Sequence, residues 1–245
     1  MHFHLPKPLH GWREFLGEVG IIVIGVSIAL AAEQTIEWLH WQERTELARE
    51  GIRSELTQNY FRAAERIVVT PCLKAQLDRL QAIVLGSGDR LDPAPLYPSG
   101  LGPVTYRHPT RPWGDVIWQS VVTEQVSSHL GASEREDLAR IYRAIDQLRE
   151  ANAREDEDDG TLQMLGSPVP LDAGLRGHIL EAIYKERWRV LYLDLVARQM
   201  SDRMRLLDPE IGQGAGIAEW RHNMRGPDTT FSWCRAQRLP LAPRL

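Results

Sequence analysis

The sequence predicts an all-α protein in which one N-terminal transmembrane helix continues into a helical bundle with long loops. Three observations predict it. Residues 15–32 form an apolar run of roughly 18 residues whose only charge is Glu18, long enough to span a bilayer as a helix. Downstream, apolar residues recur at steps of three, four and seven rather than two. Pro- and Gly-rich breaks separate these periodic stretches.

The run from Phe15 to Ala32 would make a helix of about 27 Å, at the short end of what crosses a hydrocarbon core. Trp12 flanks one side and Trp38 and Trp41 the other, as aromatic residues do at the two membrane interfaces. Lys7 and Arg13 precede the run, whereas Glu33 and Glu37 follow it with no Lys or Arg nearby. That asymmetry places the N-terminus in the cytoplasm and the remaining chain on the other side. A cleaved signal peptide is the rival reading, because Ala29-Leu30-Ala31 fits an A-x-A site. Against it stand the long preceding region, Glu14 and Glu18 close to the apolar core, and helical periodicity that runs past the supposed cut to Leu39. A buried helix of a soluble protein is disfavoured by the uninterrupted β-branched run and its tryptophan flanks.

Within the run, Gly25 and Ala29 stand four apart, as do Ser27 and Ala31. Such small-xxx-small spacing lets a second membrane helix approach closely, through self-association or docking on another subunit; ordinary tolerance of small residues in lipid is the plainer reading. Glu18 is an intramembrane carboxylate and therefore a site candidate. It lies near the helix N-terminus, where the dipole favours it and headgroup water is in reach, so the plainer reading is preferred there too.

The first helix is predicted to continue from the anchor to about Val69, ending at Pro71. A second follows with Leu73, Leu77, Leu80 and Val84 on one face, stopped at Gly86. Residues 89–113 lack a period and read as a long loop, whose Tyr97, Tyr106, Arg111 and Trp113 either pack on the bundle, the favoured reading, or present a recognition surface. A helix is expected from Asp115 to Leu130. Ser133 and Glu136 then read as a capping box opening a helix with a core stripe at Leu138, Ile141, Ile145 and Leu148. That helix runs into the acidic cluster 155–159, which fails the EF-hand template and reads as a solvated helix end. After Pro168 and Pro170, Asp172 is the predicted N-cap of a last long helix with Ile179, Ile183, Val190, Leu193, Ala197, Met200, Met204 and Leu207 on its core or coiled-coil face. The predicted division is a cytoplasmic tail at 1–14, the membrane helix at 15–32, the helical domain at 33–207 and an irregular tail at 208–245.

Composition bounds the chemistry. The formal net charge of −4 argues against nucleic acid as the main partner, because duplex binding requires a basic surface that displaces counterions. Cys72 and Cys234 form no CxxC and belong to no Cys/His cluster, so zinc and thioredoxin-type chemistry have no support. Outside the cytoplasm they would form one long-range disulfide worth about 4–5 kcal/mol by chain entropy. Two buried free thiols are the other reading, and both stay open. Histidines are scattered, and no H-E-x-x-H, G-x-S-x-G, P-loop or G-x-G-x-x-G pattern is present. The terminal Met1-His2-Phe3-His4 reads as a loose end rather than a copper or nickel site. No cofactor is expected, and no residue is nominated as catalytic.

The string Trp12-Arg13-Glu14-Phe15-Leu16-Gly17-Glu18, then Ile21–Val26, Ile28-Ala29-Leu30 and Glu33-Gln34, resembles the opening of a family of proteobacterial single-pass inner-membrane proteins of unknown function. The resemblance is dense over about residues 12–56 and looser at Trp118 and Leu138–Tyr142. It implies membrane anchoring and a helical body, and it implies no activity. The expected function is therefore that of a membrane-anchored interaction or accessory protein, a peripheral subunit of a larger inner-membrane complex with its main domain in the periplasm. The alternatives are a periplasmic ligand-sensing bundle that signals through a partner, and a secreted periplasmic protein released from a cleaved signal peptide.

Overall fold

The computed structural model describes residues 11–100, 102–213 and 215–243. Met1–His4, Lys7 and most of the predicted cytoplasmic tail lie outside the described residues. Among the described residues the protein is all-α, with six α-helices and only two isolated bridging pairs in the loops. The chain divides into two units, residues 1–49 and 50–245.

Helix α1 (Trp12–Gly86) begins in the first unit. Its apolar stretch is long and apolar enough to cross a membrane, and none of its most apolar part is buried in protein. The same helix supplies its later residues to the second unit, where Ile52, Leu56, Ile67, Leu73, Leu77 and Val84 are buried. The break expected at Pro71 is absent: α1 passes through it. Proline has no N–H for the Ile67 carbonyl and costs about 3 kcal/mol inside a helix. Packing outweighs this, because Val69, Cys72 and Leu73 on either side are fully buried. The returning C-terminal segment also donates the Ala242 N–H to the neighbouring Val68 carbonyl at 2.9 Å.

The remaining elements wrap the second half of α1. Helix α2 (Val116–Thr123) is shorter than predicted, because Gln125 adopts a left-handed backbone (φ 62°) before a single tight turn at Val126–His129. Helix α3 (Ala132–Gln163) starts one residue before Ser133, with Gly131 at its N-cap and no side-chain cap, so the expected capping box does not form. It also runs through the acidic cluster instead of fraying there. Helix α4 (Ala173–Leu207) opens as predicted, with Asp172 Oδ1 accepting the Leu175 N–H at 2.7 Å. Its Ile179, Ile183, Val190, Leu193, Ala197, Met200 and Met204 are buried; Leu207 is half-buried. It packs antiparallel to α1: Arg176 donates to the Ser87 and Gly88 carbonyls at 2.9 and 2.7 Å, Arg187 pairs with Asp78 at 2.7 Å, and Arg205 reaches the Tyr60 hydroxyl at 3.0 Å. Arg176 thus supplies the positive charge at the end of α1 that the helix's own last turn lacks.

The segment predicted as an irregular tail contains α5 (Ala215–Met224) and α6 (Thr230–Ala236), too short for their periodicity to stand out. Gly212 makes the turn into them at φ +79°, passing so close to Tyr60 that a Cβ would overlap its ring. The 89–113 loop packs down, as favoured: Leu91, Ala94, Tyr106 and Trp113 are buried, and Leu91 and Ala94 donate to the Val169 and Leu165 carbonyls at 2.9 and 2.8 Å. Cys72 and Cys234 are bonded, which fixes α6 to α1 in the middle of the core and decides between the two readings.

The disulfide spans 162 residues of sequence, so by chain entropy its loss costs about 5 kcal/mol. Denaturant unfolding of the full-length Cys234→Ser protein, followed by circular dichroism, should show a destabilisation of that order. Coincident curves for the oxidised and reduced wild type would refute it.

Candidate functional site

The second unit holds an ionic network in its core. Arg66 of α1 donates to Glu155 of α3, and both side chains are almost fully buried. Glu186 of α4 accepts the Tyr106 hydroxyl at 2.9 Å and lies 3.3 Å from Arg189. The His108 ring stacks on Tyr106 at 5.7 Å, with its nitrogens 3.6 Å from Glu155 and 3.7 Å from Asp156. Burial opposes the Arg66 charge, but Glu155 outweighs it and the guanidinium pKa ends above its usual value. Burial, reinforced by the Glu155 charge, pushes Glu186 up to about 7. Burial also raises Glu155, against the opposing charge of Arg66.

A second buried carboxylate organises α2. Glu55 Oε1 accepts the Ile117 N–H at 3.0 Å, and its Oε2 accepts the Trp118 N–H at 3.3 Å and the Tyr142 hydroxyl at 2.7 Å. Trp118 and Tyr142 stack at 5.0 Å. These contacts satisfy the exposed amides at the start of α2 and place a negative charge at the positive end of the helix. They also bring together Trp118 and Tyr142, two of the positions at which the looser resemblance was noted.

Two clefts flank the salt bridge between Arg111 and Glu65, whose closest atoms are 3.0 Å apart. The larger is a groove of about 770 Å³ between one face of α1 and one face of α5. Phe61 and Trp220 stack within it at 5.5 Å, beside Met224 and Pro112, and Arg62 stands on its wall. The smaller, about 360 Å³, is lined by Tyr106 and His108, so it adjoins the ionic network. The groove falls within the size range of small-ligand sites, and most of the residues that line it are polar or charged.

The residues singled out from sequence are not gathered here. Gly25, Ser27, Ala29, Ala31 and Glu18 lie exposed along the first part of α1, as do Trp12 and Trp38, while Trp41 is half-buried with Arg44 over its ring at 5.1 Å. Among the described residues, no group of three or more His, Cys, Asp or Glu is arranged to hold a metal. Arg66, Glu155 and Glu186 were missed, although a signal existed: Glu155 and Glu186 occupy the core register of their helices, seven residues after Leu148 and Ile179 respectively.

Comparison with protein-family models, with curated proteins and with solved structures gave no match.

A folded-state pKa of about 7 for Glu186 against an unfolded value of 4.5 means that its ionisation favours unfolding. The associated stability is fully present below pH 4.5 and is lost as pH rises through 7, a difference on the order of 2–3 kcal/mol. Glu186→Gln should flatten this part of the stability–pH curve between 4.5 and 8 and be the more stable protein at pH 8. Parallel curves for variant and wild type would show that Glu186 carries no such shift.

Proposed function

We propose that this chain is a membrane-anchored helical interaction module, a peripheral subunit of a larger inner-membrane complex. In this reading residues 15–32 span the bilayer, the N-terminus faces the cytoplasm and the 50–245 domain stands in the periplasm. The bare apolar stretch of α1, the Lys7 and Arg13 flank, and a disulfide suited to an oxidising compartment support that placement. The resemblance to proteobacterial single-pass proteins agrees with it.

One observation carries the interaction role. Besides its buried stripe, α4 exposes Tyr184, Trp188, Leu191, Tyr192 and Leu195 at helical spacing, with Trp188 73% exposed. Large aromatic side chains in a row of this kind are characteristic of protein contacts, where they supply most of the binding energy. The ion pairs Glu181–Lys185 and Asp194–Arg198 lie on the same helix and provide a polar rim. The occupant with matching chemistry is an amphipathic helix of another subunit, and Gly25, Ser27, Ala29 and Ala31 offer a second contact, or a self-contact, within the bilayer. The alternative reading, a ligand-sensing bundle that signals through a partner, is favoured by the groove beside Trp220.

Purification in mild detergent at native expression level tests the interaction role. A companion protein should accompany the wild type reproducibly and be lost from a Trp188→Glu/Leu191→Glu variant whose circular dichroism and melting are unchanged. A wild type that purifies as a lone monomer would contradict it.

A further inference from the structure

The C-terminal segment carries positive charge that its own acids do not offset. Residues 215–245 hold five arginines against Glu219 and Asp228, in a chain whose formal net charge is −4. Glu219 lines the α1/α5 groove, and Asp228 acts on Arg107. Two depressions that share Val68, Arg225 and Phe231 form a shallow trough on this segment, the larger about 530 Å³. Its floor is apolar: Val68 and Met224 are buried, and Phe231 and Leu241 are half-buried. Among the described residues the charged side chains that line it are Arg221, Arg225 and Arg235, with no carboxylate beside them. All three are exposed, and among the described residues no ion pair or side-chain hydrogen bond holds them. Arg235 lies over the Phe231 ring at 5.9 Å, which keeps its guanidinium beside the floor. Arg221 and Arg225 stand four residues apart, at and just after the end of α5, so both reach the same side.

We propose that this trough docks a short acidic peptide segment of a partner protein, its carboxylates on Arg221, Arg225 and Arg235 and an apolar side chain on Val68, Phe231 and Leu241. Three guanidiniums round an apolar floor match several carboxylates flanking one apolar anchor, and each guanidinium can hold a carboxylate at two points. The floor supplies the contact that excludes water, and the charged rim selects the partner. A long polyanion fits less well, because the chain outside this segment is acidic and a nucleic-acid strand needs a continuous basic surface. A compact inorganic anion would leave the apolar floor uncovered. The inference adds a second contact to the interaction role. Its residues are separate from the aromatic row of α4, so the Trp188 and Leu191 variants test that role independently and either surface can fail alone.

The test uses the full-length protein in an uncharged detergent and three end-blocked, fluorophore-labelled hexapeptides. The first alternates aspartate and leucine, the second has asparagine in place of aspartate, and the third has serine in place of leucine. Fluorescence anisotropy, read against protein-free detergent, should show the first binding about tenfold or more tighter than the other two, the size of one charge-assisted contact or one buried aliphatic side chain. Raising the ionic strength from about 0.05 to 0.5 M should weaken it. Arg225→Gln/Arg235→Gln should cost about tenfold or more in affinity. Arg143→Gln/Arg203→Gln, which removes the same charge from exposed positions elsewhere, should cost nothing. The proposal is overturned if the first peptide does not bind, if either counterpart binds as tightly, or if the Arg225/Arg235 variant binds like wild type. It is also overturned if the Arg143/Arg203 variant is weakened equally, which would leave only net charge, or if hexyl phosphate displaces the peptide at a concentration below the peptide's own Kd, which would assign the trough to an organic phosphate.

Discussion

One helix carries both a bare apolar stretch and the central strut of a packed core. The first part of α1 exposes Ile21, Ile22, Val23, Ile24, Val26, Ile28 and Leu30 with no protein over them, while its later part is buried in the core of the second unit. At about 1.5–3 kcal/mol for each large aliphatic side chain removed from water, leaving the early stretch hydrated would cost on the order of 10–20 kcal/mol. That exceeds the net stability of most domains. A bilayer removes the cost, since an α-helix satisfies its own backbone and presents only side chains to lipid.

The second unit is secured by long-range contacts to α1. Its C-terminal segment returns to α1 in three ways: the disulfide at Cys72, the amide of Ala242 on the Val68 carbonyl, and the stacking of Trp220 on Phe61. Arg66 and Glu155 pair in the interior of the same unit. Buried ion pairs add little net stability, but removing one partner strands the other, at a cost of about 3–5 kcal/mol. The aromatic row on α4 and the groove beside α5 both lie on the surface of the second unit.

Where sequence signals were strong, the structure agrees with them. The stripes of α3 and α4, the N-cap at Asp172 and the all-α class rest on periodicity and capping, which are local. Some differences are local, as at the capping box that Gly131 displaces and at the left-handed Gln125 that shortens α2; the larger ones arise where distant contacts override local preference. Pro71 should end a helix, yet residues packed around it and a disulfide hold the helix together. The acidic cluster should fray, yet Glu155 finds Arg66 across the core and α3 continues to Gln163. Helices α5 and α6 are seven to ten residues long and owe their form to α1 and to Cys72 more than to their own pattern. The groove was not legible at all, because it is assembled from residues more than a hundred positions apart.

Cell fractionation tests the central claim most directly. After an alkaline carbonate wash, the chain should remain in the membrane pellet at its full 27.9 kDa with its N-terminal segment attached. A shortened polypeptide in the soluble periplasmic fraction, beginning at or near Ala32, would contradict the account at its foundation.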